Sequence, residues 1–139
     1  MGKYQVSEPP AEYYDLEERL LQFGARVIRL AESVNRSSAG QHIALQVVRS
    51  ATSPLGSHGE AQAAESAADF VHKLKLCLKE LRETERWLRL IELVPLVKQP
   101  TRMTPLLQET DELIRIFVTS IRTSQRKNAR QKTKLSQNA

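Results

Sequence analysis

Apolar residues recur at steps of three and four along almost the whole of this chain, and that spacing constrains its fold more than any other feature. Leu16, Leu20, Phe23, Val27, Leu30 and Val34 begin the series; Ala67, Val71, Leu74, Leu78, Leu81 and Leu88 continue it; Leu106, Thr110, Leu113, Phe117 and Ser120 complete it. Residues three and four apart share one face of a helix, so each set is the inner stripe of an amphipathic helix. Leu, Ala, Glu, Arg and Gln dominate while aromatics make up only 5%. The fold class is therefore all-α, and 139 residues are enough for a single domain.

The first helix is expected over 12–34, with Glu12, Asp15, Glu17 and Glu18 near its start and Arg26 and Arg29 near its end, as the helix dipole prefers. A turn follows over 35–40. The second helix runs over 40–53, with Ile43, Val47 and Ser50 inward, and Pro54 and Gly56 are expected to stop it. Ser57 and Glu60 have the spacing of a capping box for a third helix over 58–93. Small residues fill 50–68, so the closest helix approach belongs there. Phe70, Cys77 and Ile91 widen the third helix's seam, with Trp87 and Leu90 further round. Pro95 and Pro100 bracket a connection. A fourth helix begins at Thr101 or Thr104, the latter as cap with Pro105 next, and runs to Gln125 with Leu107, Ile114, Val118 and Ile121 beside its seam. Short links between four such helices predict an antiparallel up-and-down four-helix bundle over 12–125, between a leader, 1–11, and a basic, disordered tail, 126–139. The surplus apolar surface predicts self-association.

The net charge of +5 lies wholly in the tail: Arg126, Lys127, Arg130, Lys132 and Lys134 follow a body with 16 cations and 16 acids. Such a tail is either a solubilising end or an arm attracted to nucleic acid. Within the balanced body, Lys75, Lys79, Arg82, Arg86 and Arg89 step by four, three, four and three. At 100° per residue they fall within about 80° of arc, forming one ridge suited to a phosphate backbone. Arg115, Arg122, Arg126, Lys127 and Arg130 extend the positive potential if the fourth helix continues into the tail. The alternative is structural: such cations pair with acids of a neighbouring helix or subunit, and Asp69 with Lys73 and Glu85 with Arg89 have the spacing of local pairs. Base stacking has only Tyr4, Tyr13, Tyr14 and Trp87 to draw on, and Trp87 is expected in an interface.

Other functions find little support. The longest apolar runs, such as 93–97, are too short to span a bilayer, and the first ten residues lack a signal-peptide core, so a cytoplasmic protein is expected. Cys77, the single cysteine, sits beside an apolar face as a small hydrophobe. Glu65, Asp69 and His72 share a face, but a di-iron bundle needs a second carboxylate and histidine set, which His42 and His58 do not supply. No metal or cofactor is expected; His72 is read as a partly buried hydrogen-bonding residue, and Glu85 as the partner of Arg49 across helices. Neither a phosphate-binding glycine loop nor a nucleophile elbow occurs, so the protein is not expected to be an enzyme.

The motifs Arg49-Ser50-Ala51-Thr52-Ser53, Glu60-Ala61-Gln62, Asp69-Phe70-Val71-His72-Lys73-Leu74, Lys79-Glu80, Glu83-Thr84-Glu85 and Trp87-Leu88 fall within 49–91. Together with Glu112-Leu113-Ile114-Arg115-Ile116 and Thr119-Ser120-Ile121-Arg122-Thr123, that segment resembles the four-helix-bundle proteins of the 23S ribosomal RNA intervening-sequence family. The resemblance covers about 13–127. It departs over 53–60, where Pro54-Leu55-Gly56-Ser57-His58 replaces the family's usual Ser-Ile-Gly-Ala-Asn or Ser-Ile-Pro-Ser-Asn, with Ser57 at the asparagine. The resemblance implies an antiparallel bundle assembled into a ring, commonly a homopentamer, without catalysis. It also implies kinship with accessory proteins of diversity-generating retroelements, whose partners are a reverse transcriptase and RNA or DNA. The expected function is thus a homo-oligomeric adaptor for nucleic acid or a nucleic-acid enzyme, the alternative being a protein-only scaffold whose charged stripe serves ring assembly.

Overall fold

The structure, a computed structural model, describes residues 11–138, with side chains from Asp15 onward. The expected leader, apart from Ala11, and the side chains of Tyr13 and Tyr14 lie outside the described residues, as does Tyr4. Among the described residues the order is α1 (Ala11–Glu32), α2 (Ser38–Gln62), α3 (Ala67–Leu93), a 3-10 turn (Pro100–Arg102) and α4 (Met103–Gln137). All regular structure there is helical, as the apolar spacing predicts, and the helices pack as a bundle around one core.

The core draws on every helix. Leu20, Phe23 and Val27 come from α1, Val47 and Ala51 from α2, Leu74, Cys77, Leu81, Leu88 and Ile91 from α3, and Met103, Leu113 and Phe117 from α4. Cys77, rather than Leu78, and Thr84 occupy the centre of the α3 seam; Leu78 and Glu85 are half-buried and Ala67 is exposed. Packing against α2 turns that seam slightly from the one the sequence predicts. On α4, Ile121 is buried and Ser120 only half-buried.

The largest difference from expectation concerns α2, which runs through Pro54 and Gly56 to Gln62. Proline removes the N–H that would bond the Ser50 carbonyl, a loss of about 3 kcal/mol in an exposed helix. Here Ser50, Ala51, Pro54, His58 and Ala61 are all buried, and this continuous contact surface offsets the loss. Thr84 Oγ1 donates to Ser50 Oγ (2.9 Å), which donates onward to the Val47 carbonyl (3.2 Å). The Cys77 thiol faces the Pro54 carbonyl at 3.8 Å. Arg49 and Ser50 early in α2 meet Glu83 and Thr84 on α3, while Pro54 and Glu60 further along α2 meet Cys77 and Lys73, earlier on α3.

Ser66, not Ser57, caps α3: its hydroxyl accepts from the Asp69 amide (3.0 Å). Glu60 is accordingly free of a capping duty and pairs with Lys73 across the turn at 3.0 Å. At the other end of α2, Ser37 Oγ accepts from the Gly40 amide (3.1 Å). A Cβ on Gly40 would stand 1.8 Å from the Asn35 carbonyl oxygen, so only glycine fits where the first turn passes the incoming chain. The Asn35 amide donates to the Leu96 carbonyl (2.8 Å), tying the α1–α2 link to the α3–α4 link.

Thr104 does not cap α4, which follows directly from the turn that Pro100 opens. Nor does α4 end at Gln125: residues of the expected disordered tail continue it to Gln137. That stretch is rich in Arg, Lys and Gln and holds no Gly or Pro, so nothing in it breaks the helix.

Candidate functional site

The α3 seam, from Val71 to Ile91, faces the core, and the five cations of the ridge lie on the side turned away from it. Lys75, Lys79, Arg82, Arg86 and Arg89 are all exposed. They cover about 21 Å at the standard helical rise. Among the described residues none of the five forms an ion pair. The local pairs expected from spacing do not form: Lys73 bonds Glu60, with Asp69 adding only its charge, and Glu85 does not bridge to Arg89.

Carboxylates do stand at the edge of the ridge nearest α2. Arg49 Nη2 donates to Glu83, and Arg49 Nη1 lies 3.7 Å from Glu80 Oε2. Arg49 thus pairs with Glu83 and Glu80, not with Glu85. The correction is geometric, since on the α3 helical wheel Glu83 falls on the α2 side of the ridge and Glu85 on the other. Trp87 Nε1 donates to Glu83 Oε1 (3.3 Å), and its half-buried ring meets His42 edge-on with centroids 6.4 Å apart. Trp87 therefore packs within the protein, and among the described residues no large aromatic face lies on the ridge for base stacking. Burial, and then the Glu83 charge, raise the Glu80 carboxyl above its ordinary range. His72, expected to be partly buried, is exposed on the ridge side of α3.

Arg122, Arg126, Lys127 and Arg130 are also exposed, forming a second set on α4. Arg115, further back, is engaged by Asp111 at 3.0 Å. Ile121 is the last fully buried residue of α4; Ser124 and Asn128 are half-buried, and 129–138 are exposed throughout. The second cation set thus begins where α4 leaves the core. Spacing in the sequence points to both sets, while the Arg49 clasp requires knowing which side of α3 meets α2.

Two chemically versatile side chains are committed to the core. Burial raises the Cys77 thiol to about 12, so no thiolate forms near neutral pH. His58, missed as a core residue in the sequence because the expected break at Pro54 sets it beyond α2, packs edge-on against Phe117 with centroids 6.2 Å apart. Its ring nitrogen lies 3.0 Å from Gln62 Nε2, and burial lowers its basicity, with Glu17 opposing. Among the described residues no three His, Cys, Asp or Glu side chains are grouped to hold a metal, and no helix is long and apolar enough to cross a membrane.

A solved structure decides what this bundle resembles. A crystallised protein from Bacteroides thetaiotaomicron superposes with a TM-score of 0.72 at 26% identity, over 79% of this chain and 97% of that one. That protein comes from the S23 ribosomal protein family. This chain is similar to it in both fold and sequence, as the motifs over 49–91 anticipate. The S23-family neighbour is itself of unknown function. No protein-family model matches the chain, and no curated protein matches it.

Proposed function

We propose that this protein is a non-catalytic, self-associating adaptor that binds nucleic acid, or an enzyme acting on it, through the outer faces of α3 and α4. The observation that carries the proposal is the α3 ridge, whose five exposed cations form no ion pair among the described residues, Lys79 acting on Glu80 only through its charge. Exposed cations outside ion pairs are available to phosphates, and each phosphate they neutralise releases a counterion. Arg122, Arg126, Lys127 and Arg130 supply a second contact on the neighbouring helix. The family named for the crystallised neighbour is ribosomal, which agrees with a ribonucleic-acid partner. We further propose an antiparallel up-and-down bundle forming a homo-oligomeric ring, a pentamer by family resemblance, in the cytoplasm. That Arg49 and Ser50 meet Glu83 and Thr84 while Glu60 meets Lys73 supports an antiparallel α2–α3 pair within this topology.

A second reading is favoured by one feature. Leu90, Leu93 and Val94 are exposed just where the ridge ends, so cations and apolar side chains together have the character of a protein interface. In that reading the protein is a scaffold whose charges serve assembly. Replacing Lys79, Arg82 and Arg86 together by Glu separates the two. Loss of RNA binding with the assembly intact by light scattering supports the adaptor; collapse of the assembly supports the scaffold.

A further inference from the structure

The cation ridge of α3 is edged by a carboxylate that ought to neutralise part of it. Glu83 stands four residues after Lys79 and three before Arg86, spacings at which opposite charges on a helix meet. It bonds to neither. Its Oε1 instead accepts from Arg49 Nη2 on α2 and from Trp87 Nε1 (3.3 Å), both on the side of α3 away from the ridge. The same guanidinium lies 3.7 Å from Glu80 Oε2, a buried oxygen with no hydrogen-bond partner among the described residues. Arg49 Nε donates to Gln46 Oε1 (3.2 Å), which fixes the fork over both carboxylates.

We infer that Arg49 is a positioning residue for the ridge: by holding Glu83 and Glu80 against α2 it keeps Lys79 and Arg86 free for a phosphate backbone. This inference rests on the reading of the ridge as a nucleic-acid surface. Arg49 itself is turned toward the α2–α3 contact and acts through Glu83. Without it two neighbouring carboxylates lose their shared counter-charge, and Glu83 turns to the nearest cations, which are Lys79 and Arg86. A phosphate must then displace a carboxylate before it can bind.

The test compares the full-length wild type with Arg49→Gln, Arg49→Gln/Glu83→Gln and Arg49→Gln/Asp15→Asn, in binding to a labelled RNA duplex at low salt. The two double variants have equal net charge, but Asp15 lies on α1, outside the clasp. Arg49→Gln is expected to weaken binding by about twofold to fivefold, the range for a surface ion pair newly formed in competition. Glu83→Gln then restores the affinity, whereas Asp15→Asn does not. An unchanged affinity in Arg49→Gln, no rescue by Glu83→Gln, or equal rescue by Asp15→Asn overturns the inference. Acetylation of Lys79 by an amine reagent, followed by mass spectrometry, provides a readout without RNA. It should slow in Arg49→Gln and recover in Arg49→Gln/Glu83→Gln, and an unchanged rate in Arg49→Gln counts against the clasp. Should the wild type bind no RNA, the proposed function fails, and the acetylation rates alone decide whether Arg49 keeps Lys79 free.

Discussion

The α2–α3 contact and the outer end of α4 are both helical, yet different forces hold them. Where α2 meets α3, buried Ser50, Ala51, Pro54 and Ala61 admit Cys77, Leu81 and Thr84 to close range, and ion pairs join the two helices at Arg49 and Glu60. Beyond Ile121, α4 has no fully buried residue, only Ser124 and Asn128 half-buried, and its helix rests mainly on backbone propensity. Packing is strong enough to carry a helix through proline in the first region. In the second, a helix persists only because nothing interrupts it. The difference teaches that stability resides in the bundle, while the end of α4 contributes charge.

Substitutions in the packed region should show the largest effects. Phe117→Ala removes a fully buried ring that packs on His58 and should destabilise the protein by about 3–5 kcal/mol in urea unfolding. Gly40→Ala, which drives a Cβ into the Asn35 carbonyl, should cost at least about 1–3 kcal/mol in the same measurement. Either variant unfolding like wild type would break the contrast.

A smaller, pH-dependent effect belongs to His58, where α2 meets α4. Its folded-state pKa is lowered from 6.5 by burial, so on acidification the unfolded chain takes up the proton first. Its contribution is complete above pH 6.5 and lost as the pH falls below that value toward the folded pKa. Glu80 titrates with the opposite sign, its raised folded pKa favouring the native state as the pH falls, so the two effects must be separated. The thermal midpoint of His58→Gln should therefore depend less on pH below 6.5 than that of wild type. Equal slopes would remove His58 from the account. The smallest effect should follow truncation after Gln125: the midpoint stays within experimental error, since the removed residues bury almost nothing. A clear fall would mean that the end of α4 packs against something and does not stand apart.

Much of this was legible in the sequence, for a physical reason. The apolar steps on α1, α3 and α4 fix which face turns inward, and Leu20, Phe23, Leu74, Leu88, Leu113 and Phe117 are buried as that pattern requires. The α2–α3 junction was less legible because two capping signals compete there, Ser57 with Glu60 and Ser66 with Asp69. Local sequence cannot rank them. Proline favours the first, but burial of Pro54, His58 and Ala61 against neighbouring helices selects the second. The same limit explains Arg49: spacing identifies an arginine facing α3, and only the packing angle reveals Glu83 and Glu80 as its partners. For the ridge, residue positions follow from helical periodicity, whereas the lack of ion pairs among its cations and the described residues is a property of the folded bundle.

The central claim is that the bundle itself, through α3, binds a phosphate backbone. The most direct test is a fluorescence-anisotropy titration of duplex RNA over a range of salt, with the full-length protein and with residues 1–125. The account predicts that 1–125 still binds, and that the logarithm of its affinity falls with the logarithm of salt at a slope approaching about −4.5, the value for five neutralised phosphates on a duplex. Binding that vanishes with residues 126–139, or a slope near zero, would contradict it.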